Sequence, residues 1–342
     1  MILKVGFIGF GKSANRYHLP YVLLRDRLEV KMIYSRTRKR DLESKYLDSG
    51  IVFTDKLDEI LHDPDIQLVS ICTSHASHFE LAKLCLENKK HVLVEKPFTT
   101  TLEEARELIH LADKNQLILM PFQNRRFDSD FLALKKVIQH KGAGEIVEIE
   151  SHFDYFRPDF QEHKGKSYDG DFFGLGVHTI DQLVSLFGRP EKVYYDIRSI
   201  RNPNNPDDYY HVELFYKGFK AIVKTSHLVE TPYPTFILHG TKGSFVKYGI
   251  DKQEECLKAG MSPDEPGFGL DPEENFGVLS IAESVEEEVI PTPKGDYGRI
   301  YDELYETIIH GKNKLVSNEE ILTVLEILEK GIQGENPKVV TL

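Results

Sequence analysis

Short apolar runs alternate with longer amphipathic segments over the first 120 residues. The apolar runs are typical of buried strands, and they cover residues 5–8, 30–34, 68–71, 91–94 and 117–120. Residues 78–87 have helical periodicity, and Thr101 and Glu104 have the spacing of a capping box at the start of another helix. Apolar strands that alternate with helices predict a parallel sheet covered on both sides. The pattern therefore predicts a Rossmann-type, doubly wound α/β domain over residues 1–121.

The pattern changes after Met120. A helix is predicted around residues 131–138, and residues 147–155 then alternate between apolar and polar with a period of two, which is typical of an antiparallel sheet with one wet face. Further strands are predicted over residues 193–200, 211–216, 221–226 and 235–238, with a hairpin at residues 240–243, a surface loop at 260–272 and two closing helices. Residues 122–342 are therefore expected to form an α+β domain with a large open, mainly antiparallel sheet. A sheet of that size is not expected to leave an apolar face exposed, so the prediction includes a homodimer or higher homo-oligomer.

Composition narrows the class of protein. The chain has 342 residues, of which 40% are apolar and 29% charged, as in an ordinary globular protein of about two domains. Its formal net charge of −12 argues against non-specific binding to nucleic acid or to an anionic membrane. The three cysteines include no C-x-x-C pair, so neither a disulfide framework nor a zinc site is indicated. No apolar run approaches about 20 residues and no signal peptide is recognised, so a cytoplasmic location is expected.

A glycine-rich turn follows the first predicted strand. Gly9, Gly11 and Ala14, with Lys12 and Ser13 between them, fit the pattern G-x-G-x-x-A and open a predicted helix. In a dinucleotide-binding turn the glycines let the backbone approach a pyrophosphate, and the helix start supplies N–H groups. Two glycines in a tight turn also occur for structural reasons alone, but the strand–turn–helix context favours a cofactor site.

The end of the second predicted strand bears on the choice of cofactor. NAD-binding proteins usually have an acidic side chain there for the ribose hydroxyls. This chain has Ser35 and Arg36, and Arg38 follows. A guanidinium can hold a 2′-phosphate that a carboxylate would repel, so the sequence predicts NADP(H) in preference to NAD(H). The alternative is a solvated run of charges at the start of a helix.

Two other residues have positions that suit catalysis. Lys96, in the tripeptide Glu95-Lys96-Pro97, follows the fifth predicted strand, at the edge of the sheet where open α/β sheets bind ligands. His178 lies near the start of an amphipathic helix. A tripeptide alone is uninformative, and a lone histidine is more often structural than catalytic.

The motifs together resemble the glucose–fructose oxidoreductase / inositol dehydrogenase / rhizopine catabolism (Gfo/Idh/MocA) family. The similarity covers nearly the whole chain, through GFGKSA, VEKP and GLGVHTID. The longer stretches FIGFGKS-x-x-RYHLPYV, QNRRFDS and SHFDYFRP resemble an enterobacterial branch related to NADP-linked scyllo-inositol dehydrogenases. The resemblance implies a nucleotide-binding domain followed by a domain with a large antiparallel sheet.

The resemblance also implies roles for individual residues. Lys96 and His178 match the family's catalytic lysine and histidine, Asp181 matches the last acid of its D-x-G-x-H-x-x-D pattern, and the Lys96–Pro97 peptide is expected to be cis. The residues expected near the cofactor, in addition to Gly9–Ala14 and Ser35–Arg36, are Thr73, Ser74, His75, His78, Glu95, Lys96 and Asn124. His75 departs from the family, which has an asparagine there.

A second departure from the family is Gly174, which stands where the family has an aspartate four residues before the histidine. Three outcomes are open: another acid (Asp169, Asp171 or Asp181) takes its place, a water does, or activity is lost. Asp154, Tyr155 and Arg157 are candidates for a polyol pocket, together with Lys96, His178 and Asp181. Asp154, Tyr155 and Arg157 are equally well explained as the surface of a strand.

The function predicted from these residues is NADP(H)-dependent oxidation of a secondary alcohol in a sugar or cyclitol, or the reverse reduction. His178 is expected to accept the hydroxyl proton and Lys96 to stabilise the charge on the same oxygen. Hydride passes directly between substrate and nicotinamide, so no metal is predicted. The alternatives are an NADP-binding sensor without turnover and a reductase of a non-sugar carbonyl compound.

Overall fold

The computed structural model describes residues 1–159, 165–282, 284 and 287–342. Its strands, in chain order, are β1 Leu3–Ile8, β2 Leu28–Tyr34, β3 Val52–Thr54, β4 Leu68–Ile71, β5 His91–Val94, β6 Leu119–Pro121, β7 Ile146–His152, β8 Lys192–Arg198, β9 Tyr209–Tyr216, β10 Phe219–Ser226, β11 Phe236–Gly240, β12 Gly243–Lys247, β13 Gly277–Ile281, β14 Glu288–Ile290 and β15 Lys338–Thr341. Its α-helices are α1 Leu19–Val22, α2 Arg40–Glu43, α3 Leu57–Leu61, α4 His78–Glu87, α5 Leu102–Asn115, α6 Ser129–Gln139, α7 Asp171–Gly174, α8 Gly176–Phe187, α9 Gln253–Lys258, α10 Arg299–His310 and α11 Asn318–Ile332. A π-helical turn, Ala14–His18, leads into α1.

Packing divides the chain into two compact units. The first unit consists of Met1–Asn124, Glu254–Phe268 and Tyr297–Leu322, and the second consists of Arg125–Gln253, Gly269–Asp296 and Thr323–Leu342. The first segment of the first unit ends three residues beyond the predicted boundary at 121, and two later segments belong to the same unit. The division of the protein into domains 1–121 and 122–342 stays a prediction.

A parallel sheet organises the first unit. Over the described residues it has six strands in the order β3-β2-β1-β4-β5-β6, and every neighbouring pair is parallel. All four residues of β4 are buried, as the apolar runs in the sequence predict. The strand order reverses direction between β1 and β4, which is the switch point where such sheets bind ligands. The predicted doubly wound α/β fold is confirmed.

The start of α5 shows how local sequence sets the ends of these elements. The Thr101 hydroxyl accepts a hydrogen bond from the Glu104 backbone N–H, and the Glu104 carboxylate accepts one from the Thr101 N–H. This is the predicted capping box, which satisfies two backbone donors that the helix cannot bond internally. Ala105, Leu108 and Ala112 follow on the buried face of the helix. The same arrangement joins Ser317 and Glu320 at the start of α11.

The sheet of the second unit is mixed and mostly antiparallel. In the described part of the chain its order is β14-β13-β12-β11-β7-β10-β9-β8-β15, and β7 and β10 form the one parallel pair. The large, mainly antiparallel sheet predicted from the alternation is therefore confirmed. The strand β15 was not predicted: the chain does not end on helices, because its last residues pair with β8 at the edge of the sheet.

The core of this unit lies between one face of the sheet and α6, α8 and α11. Alternate residues of each strand point into it, among them Ile149, Val212 and Leu238, and they meet Leu183 and Leu328 from the helices. Across the described residues, no helix is both long enough and apolar enough to cross a bilayer.

Candidate functional site

The residues predicted to bind a cofactor lie along one edge of the parallel sheet. Gly9 directly follows β1, Ser35 follows β2, Thr73 comes two residues after β4, Glu95 follows β5, and Asn124 comes three residues after β6. Because the strands are parallel, their carboxyl ends meet at the same edge, which is where open α/β sheets hold their ligands. The fold thus brings together candidates that are more than one hundred residues apart in the sequence.

The glycine-rich turn has the shape that a pyrophosphate needs. Gly9 has a φ of +106°, and a Cβ at this position would lie 2.5 Å from the carbonyl oxygen of Cys72, so no other residue fits. A Cβ at Gly11 would meet nothing within 4 Å, which leaves open space over the turn. Lys12 and Ser13 open the helical segment that continues into the π-helical turn. Lys39, a residue the sequence analysis did not select, donates a 2.8 Å hydrogen bond to the carbonyl of Phe10 and holds the turn. The residues present fit a dinucleotide.

The two arginines after β2 differ in their partners. The Arg38 guanidinium donates two hydrogen bonds to the Glu43 carboxylate, one of them 2.8 Å long. That contact with Arg38 lowers the pKa of Glu43 although burial acts in the opposite direction. Arg36 is exposed and has no hydrogen bond or ion pair with any residue that the structure describes. Ser35 Oγ donates to the carbonyl of Thr37. The sequence left Arg36 and Arg38 as alternatives, and the structure favours Arg36 as the group available to a ligand.

His78 links the ends of two neighbouring strands. Its Nδ1 lies 2.9 Å from the carbonyl oxygen of Pro97, and its Nε2 lies 3.2 Å from that of Thr73. Burial lowers the pKa of His78, although both backbone contacts oppose this, so the neutral ring is favoured. The Thr73 hydroxyl accepts a hydrogen bond from Ser77, at the end of the 3₁₀ turn His75–Ser77 that begins after Ser74. Direct contacts of these residues with a cofactor stay a prediction.

Glu95 is the centre of a buried polar network. Its Oε1 accepts hydrogen bonds from the Ser13 hydroxyl and from His18 Nε2, the latter at 3.0 Å, and its Oε2 accepts one from the Lys96 backbone N–H at 3.0 Å. Burial alone would raise the pKa of Glu95, but His18, the charge of Lys96 and Ser13 lower it to about 2. The carboxylate therefore joins the glycine-rich turn to Lys96. The Lys96–Pro97 peptide is cis, as the resemblance implied.

The network continues through residues that sequence analysis missed. His18 Nδ1 lies 2.7 Å from the Tyr301 hydroxyl, which lies 3.1 Å from the Ser70 hydroxyl. Since a carboxylate can only accept, His18 donates from Nε2 to Glu95, and its Nδ1 faces the Tyr301 hydroxyl. Burial raises the pKa of Tyr301 well above its ordinary value, which keeps that hydroxyl protonated. The histidine stood within the quoted motif RYHLPYV, but nothing in the sequence indicated its partners.

The depressed pKa of Glu95 gives a pH-dependent prediction. A pKa of about 2 in the folded protein, against an ordinary value of 4.5, stabilises the fold by about 3 kcal/mol above pH 5. This stabilisation is lost as the pH falls from about 4.5 towards 2, because the unfolded chain takes up the proton first. We expect Glu95→Gln to lower the urea-unfolding free energy at pH 7, and the difference from wild type to shrink by about 2 kcal/mol at pH 3. A difference that stays constant between these pH values would contradict the assignment.

His178 belongs to the second unit. It is the third residue of α8 and only 4% exposed, and its backbone N–H donates to the carbonyl of Leu175. Asp181, one turn later, has both carboxylate oxygens on the Arg126 guanidinium at 2.7 and 2.8 Å. The structure thus gives Asp181 a structural partner that sequence analysis did not foresee, while its contact with a substrate stays a prediction.

The candidate pocket residues after β7 are partly engaged within the protein. Asp154 Oδ1 accepts a hydrogen bond from the Ser226 N–H, and its Oδ2 lies 3.4 Å from His152 Nδ1. The Arg157 guanidinium is exposed and lies 3.8 Å from the centre of the Tyr155 ring. Asp154 therefore also fastens the ends of β7 and β10 to each other. Substrate contacts of Asp154, Tyr155 and Arg157 stay predictions.

Comparison with known sequences decides the family. The profile described as "Oxidoreductase family, NAD-binding Rossmann fold" matches residues 3–123, and the profile "Oxidoreductase family, C-terminal alpha/beta domain" matches residues 135–342. The chain belongs to the Gfo/Idh/MocA oxidoreductase family.

Two relatives in the Gfo/Idh/MocA family match along nearly their whole length. The uncharacterized oxidoreductase YhhX of Escherichia coli (strain K12) is 55% identical over 347 residues, covering 100% of this chain and 99% of that protein. The scyllo-inositol 2-dehydrogenase (NADP(+)) IolW of Bacillus subtilis (strain 168) is 33% identical over 341 residues, covering 98% and 94%.

Solved structures agree with the fold. The crystal structure of a probable oxidoreductase, yhhX, has a TM-score of 0.97 at 55% identity and covers 100% of this chain and 99% of that one. An oxidoreductase from Bacillus cereus gives the same TM-score at 48% identity, covering 99% and 98%. The protein is thus an oxidoreductase with the NAD-binding Rossmann fold of the Gfo/Idh/MocA family.

Proposed function

We propose that the protein is an NADP(H)-dependent dehydrogenase or reductase of a sugar or cyclitol such as an inositol, acting on a secondary alcohol or the corresponding ketone. The observation that carries the proposal is the edge of the parallel sheet, where a turn with room for a pyrophosphate lies beside β2 and an exposed Arg36 follows that strand in place of an acid. The name of the relative IolW, an NADP-linked scyllo-inositol dehydrogenase, supports the choice of cofactor and substrate class.

In the proposed reaction, different residues of the chain bind the cofactor, transfer the proton and stabilise the charge on the substrate oxygen. Gly9, Gly11 and Arg36 would hold the dinucleotide, and the bound nicotinamide supplies hydride exchange with the carbon that carries the substrate oxygen. His178 accepts the hydroxyl proton during oxidation and returns it during reduction, as an imidazole can near neutral pH. Lys96 donates a hydrogen bond to the substrate oxygen and stabilises the negative charge that develops on it. The Lys96 backbone N–H donates a hydrogen bond to the Glu95 carboxylate, which fixes the backbone from which the Lys96 side chain projects.

A screen of sugars and cyclitols tests the proposal. NADPH formation is followed with the purified full-length protein, and NAD is run in parallel. Turnover of at least one polyol with NADP supports the proposal. Tight binding of NADPH without turnover of any sugar, cyclitol or carbonyl compound would favour an NADP-binding sensor, for which Gly174 in place of the family's aspartate is the specific argument.

Cofactor preference should depend on Arg36. A charge-assisted contact with the 2′-phosphate contributes about 1.5–3 kcal/mol, or roughly ten- to a hundredfold in Kd. We expect NADP to bind more tightly than NAD by that factor, and Arg36→Asp to reverse the order, in fluorescence titrations of NADPH and NADH. Arg38→Gln is the matched control, since Glu43 already binds that guanidinium. Equal Kd values for the two cofactors in the wild type would contradict the prediction.

The proposal extends to assembly and location. On the face opposite its core, the second sheet has Tyr194, Phe215 and an exposed Val339 among the polar side chains of Asp196, His211 and Glu213, and a mixed face of this kind suits self-association. We propose a homodimer or higher homo-oligomer, which light scattering at micromolar concentration tests. Cys72, Cys85 and Cys256 are not joined by disulfides in the part of the chain that the structure describes, and reduced cysteines support the proposal of a cytoplasmic location. Cell fractionation tests this location.

A further inference from the structure

The missing acid at Gly174 leaves open space beside α7. A Cβ built on this glycine would meet nothing within 4 Å. Leu175, between α7 and α8, lies in the broad right-handed helical region with a φ of −109° and a ψ of −41°, and its backbone N–H donates a 2.7 Å hydrogen bond to the Asp171 carbonyl as in an α-helix, so α8 follows α7 with only a local distortion. Asp171, Gly174 and His178 are spaced i, i+3 and i+7 along this stretch and thus share one side.

Of the three acids near His178 in the sequence, Asp171 is the one suited to a ligand. Asp181 has both carboxylate oxygens on Arg126, and Asp169 accepts a 2.7 Å hydrogen bond from the Lys166 backbone N–H as part of a turn. Asp171 precedes Gly174 by one helical turn, and its side chain is 27% exposed. Its carboxylate is therefore both accessible and on the side of the helix that carries His178.

A second imidazole lies against Asp171. His227 Nε2 is 2.7 Å from Asp171 Oδ2, and the histidine side chain is only 8% exposed. Both ring nitrogens of His227 are buried, and neither forms a hydrogen bond within the described ranges: Nε2 lies at ion-pair distance from the Asp171 carboxylate, and no contact is found for Nδ1. Buried polar atoms in native proteins nearly always have a partner, so this nitrogen is expected to bond to a water or a ligand.

The packing around Tyr210 places the end of β10 close to the start of α8. Tyr210 on β9 pairs with Thr225 on β10, and His227 follows Thr225 by two residues. The Tyr210 hydroxyl lies 3.3 Å from that of Thr179, the residue directly after His178.

We propose that Asp171 and His227 form a substrate-binding pair that takes over, for a polyol, the part of the acid absent at Gly174. The proposal rests on the proposed function for its substrate class. A polyol hydroxyl is both a donor and an acceptor: the Asp171 carboxylate accepts its hydrogen bond, and an imidazole N–H donates to its oxygen. The pair thus recognises a second hydroxyl of the substrate, in addition to the one that is oxidised.

Calorimetry of a complex that cannot react tests the pair. The full-length protein is saturated with NADPH and titrated with scyllo-inositol, myo-inositol and methyl α-D-glucoside, which have no carbonyl group that NADPH could reduce. We expect Asp171→Asn and His227→Gln each to raise the Kd of the bound polyol about tenfold or more, as for loss of a hydrogen bond to a charged group. Asp169→Asn, a nearby carboxylate outside the pair, is expected to leave this Kd unchanged. The Kd of NADPH is expected to be the same in every variant, which shows that each is folded.

The outcomes separate this inference from the proposed function. A wild type that binds a polyol with loss of affinity in both variants, but turns none over, contradicts the dehydrogenase and supports the pair. Turnover by the wild type with unchanged polyol Kd and KM in Asp171→Asn and His227→Gln supports the dehydrogenase and overturns the pair. Absence of binding of all three probes to the wild type overturns the pair. Each substitution removes a different member of the Asp171–His227 pair, so the polyol Kd of one folded variant is sufficient for a decision.

Discussion

Replacement of His178 by alanine is expected to lower kcat by about 10²–10⁴, the usual contribution of a general base. The residue lies at the start of α8, where the family pattern has its histidine, and its side chain is almost fully buried. A group that acts on the proton during the reaction contributes little to binding of the cofactor. The Kd of NADPH should therefore stay within a factor of about two of the wild type, within ordinary mutational scatter. Steady-state kinetics with NADP and fluorescence titration of NADPH measure the two quantities.

The control for this variant is His140→Ala. His140 follows α6, is exposed, and has its Nδ1 2.7 Å from the carbonyl of Lys136, so its loss should leave kcat unchanged.

Lys96→Met should resemble His178→Ala in losing turnover and keeping cofactor affinity, since Lys96 acts on the same substrate oxygen in the proposed mechanism. Near wild-type turnover of His178→Ala across the pH range would make the histidine structural and the mechanism wrong.

Much of the fold could be predicted because many of its strands and helix ends are determined by residues that are close together in the sequence. The strands β4 and β5 were predicted with the bounds that the structure has, since each is a short apolar run flanked by turns. The capping boxes at Thr101 and Ser317 are likewise local, with donor and acceptor three residues apart. The positions of the glycine-rich turn and of Lys96 could be predicted in the same way, because the turn directly follows β1 and Lys96 comes two residues after the end of β5.

What could not be predicted depends on contacts between distant parts of the chain. The partners of His18 are Glu95, 77 residues away, and Tyr301, 283 residues away, and no spacing rule connects them. The strand β15 forms only because β8 offers an edge to pair with. Asp171 was one of three open candidates, and only the fold shows that His227 lies against it.

Asp181→Ala is expected to lower the free energy of unfolding by about 3–5 kcal/mol, the range found when one partner of a buried ion pair is removed. Arg126 and Asp181 are joined by two charge-assisted hydrogen bonds, and their side chains are 6% and 2% exposed. Without the carboxylate, a buried guanidinium loses the partner that compensates its charge. Urea unfolding of the full-length protein measures the change.

The control for Asp181→Ala is Glu145→Ala, because Glu145 forms an ion pair with Lys141 in which both side chains are more than three-quarters exposed. Solvent-exposed pairs contribute only about 0–1 kcal/mol, so this variant should unfold almost as the wild type does. The double variant Arg126→Met/Asp181→Leu removes both charges and should recover much of the loss, since apolar groups of similar volume often replace a buried ion pair without cost. These variants, together with the steady-state kinetics of Asp181→Asn, distinguish the two roles considered for Asp181. If the carboxylate binds substrate and contributes little to the fold, Asp181→Asn will raise KM while the unfolding free energy of Asp181→Ala equals that of Glu145→Ala. If the ion pair is structural, the free energy of unfolding will fall in Asp181→Ala, and the double variant will be more stable than Asp181→Ala.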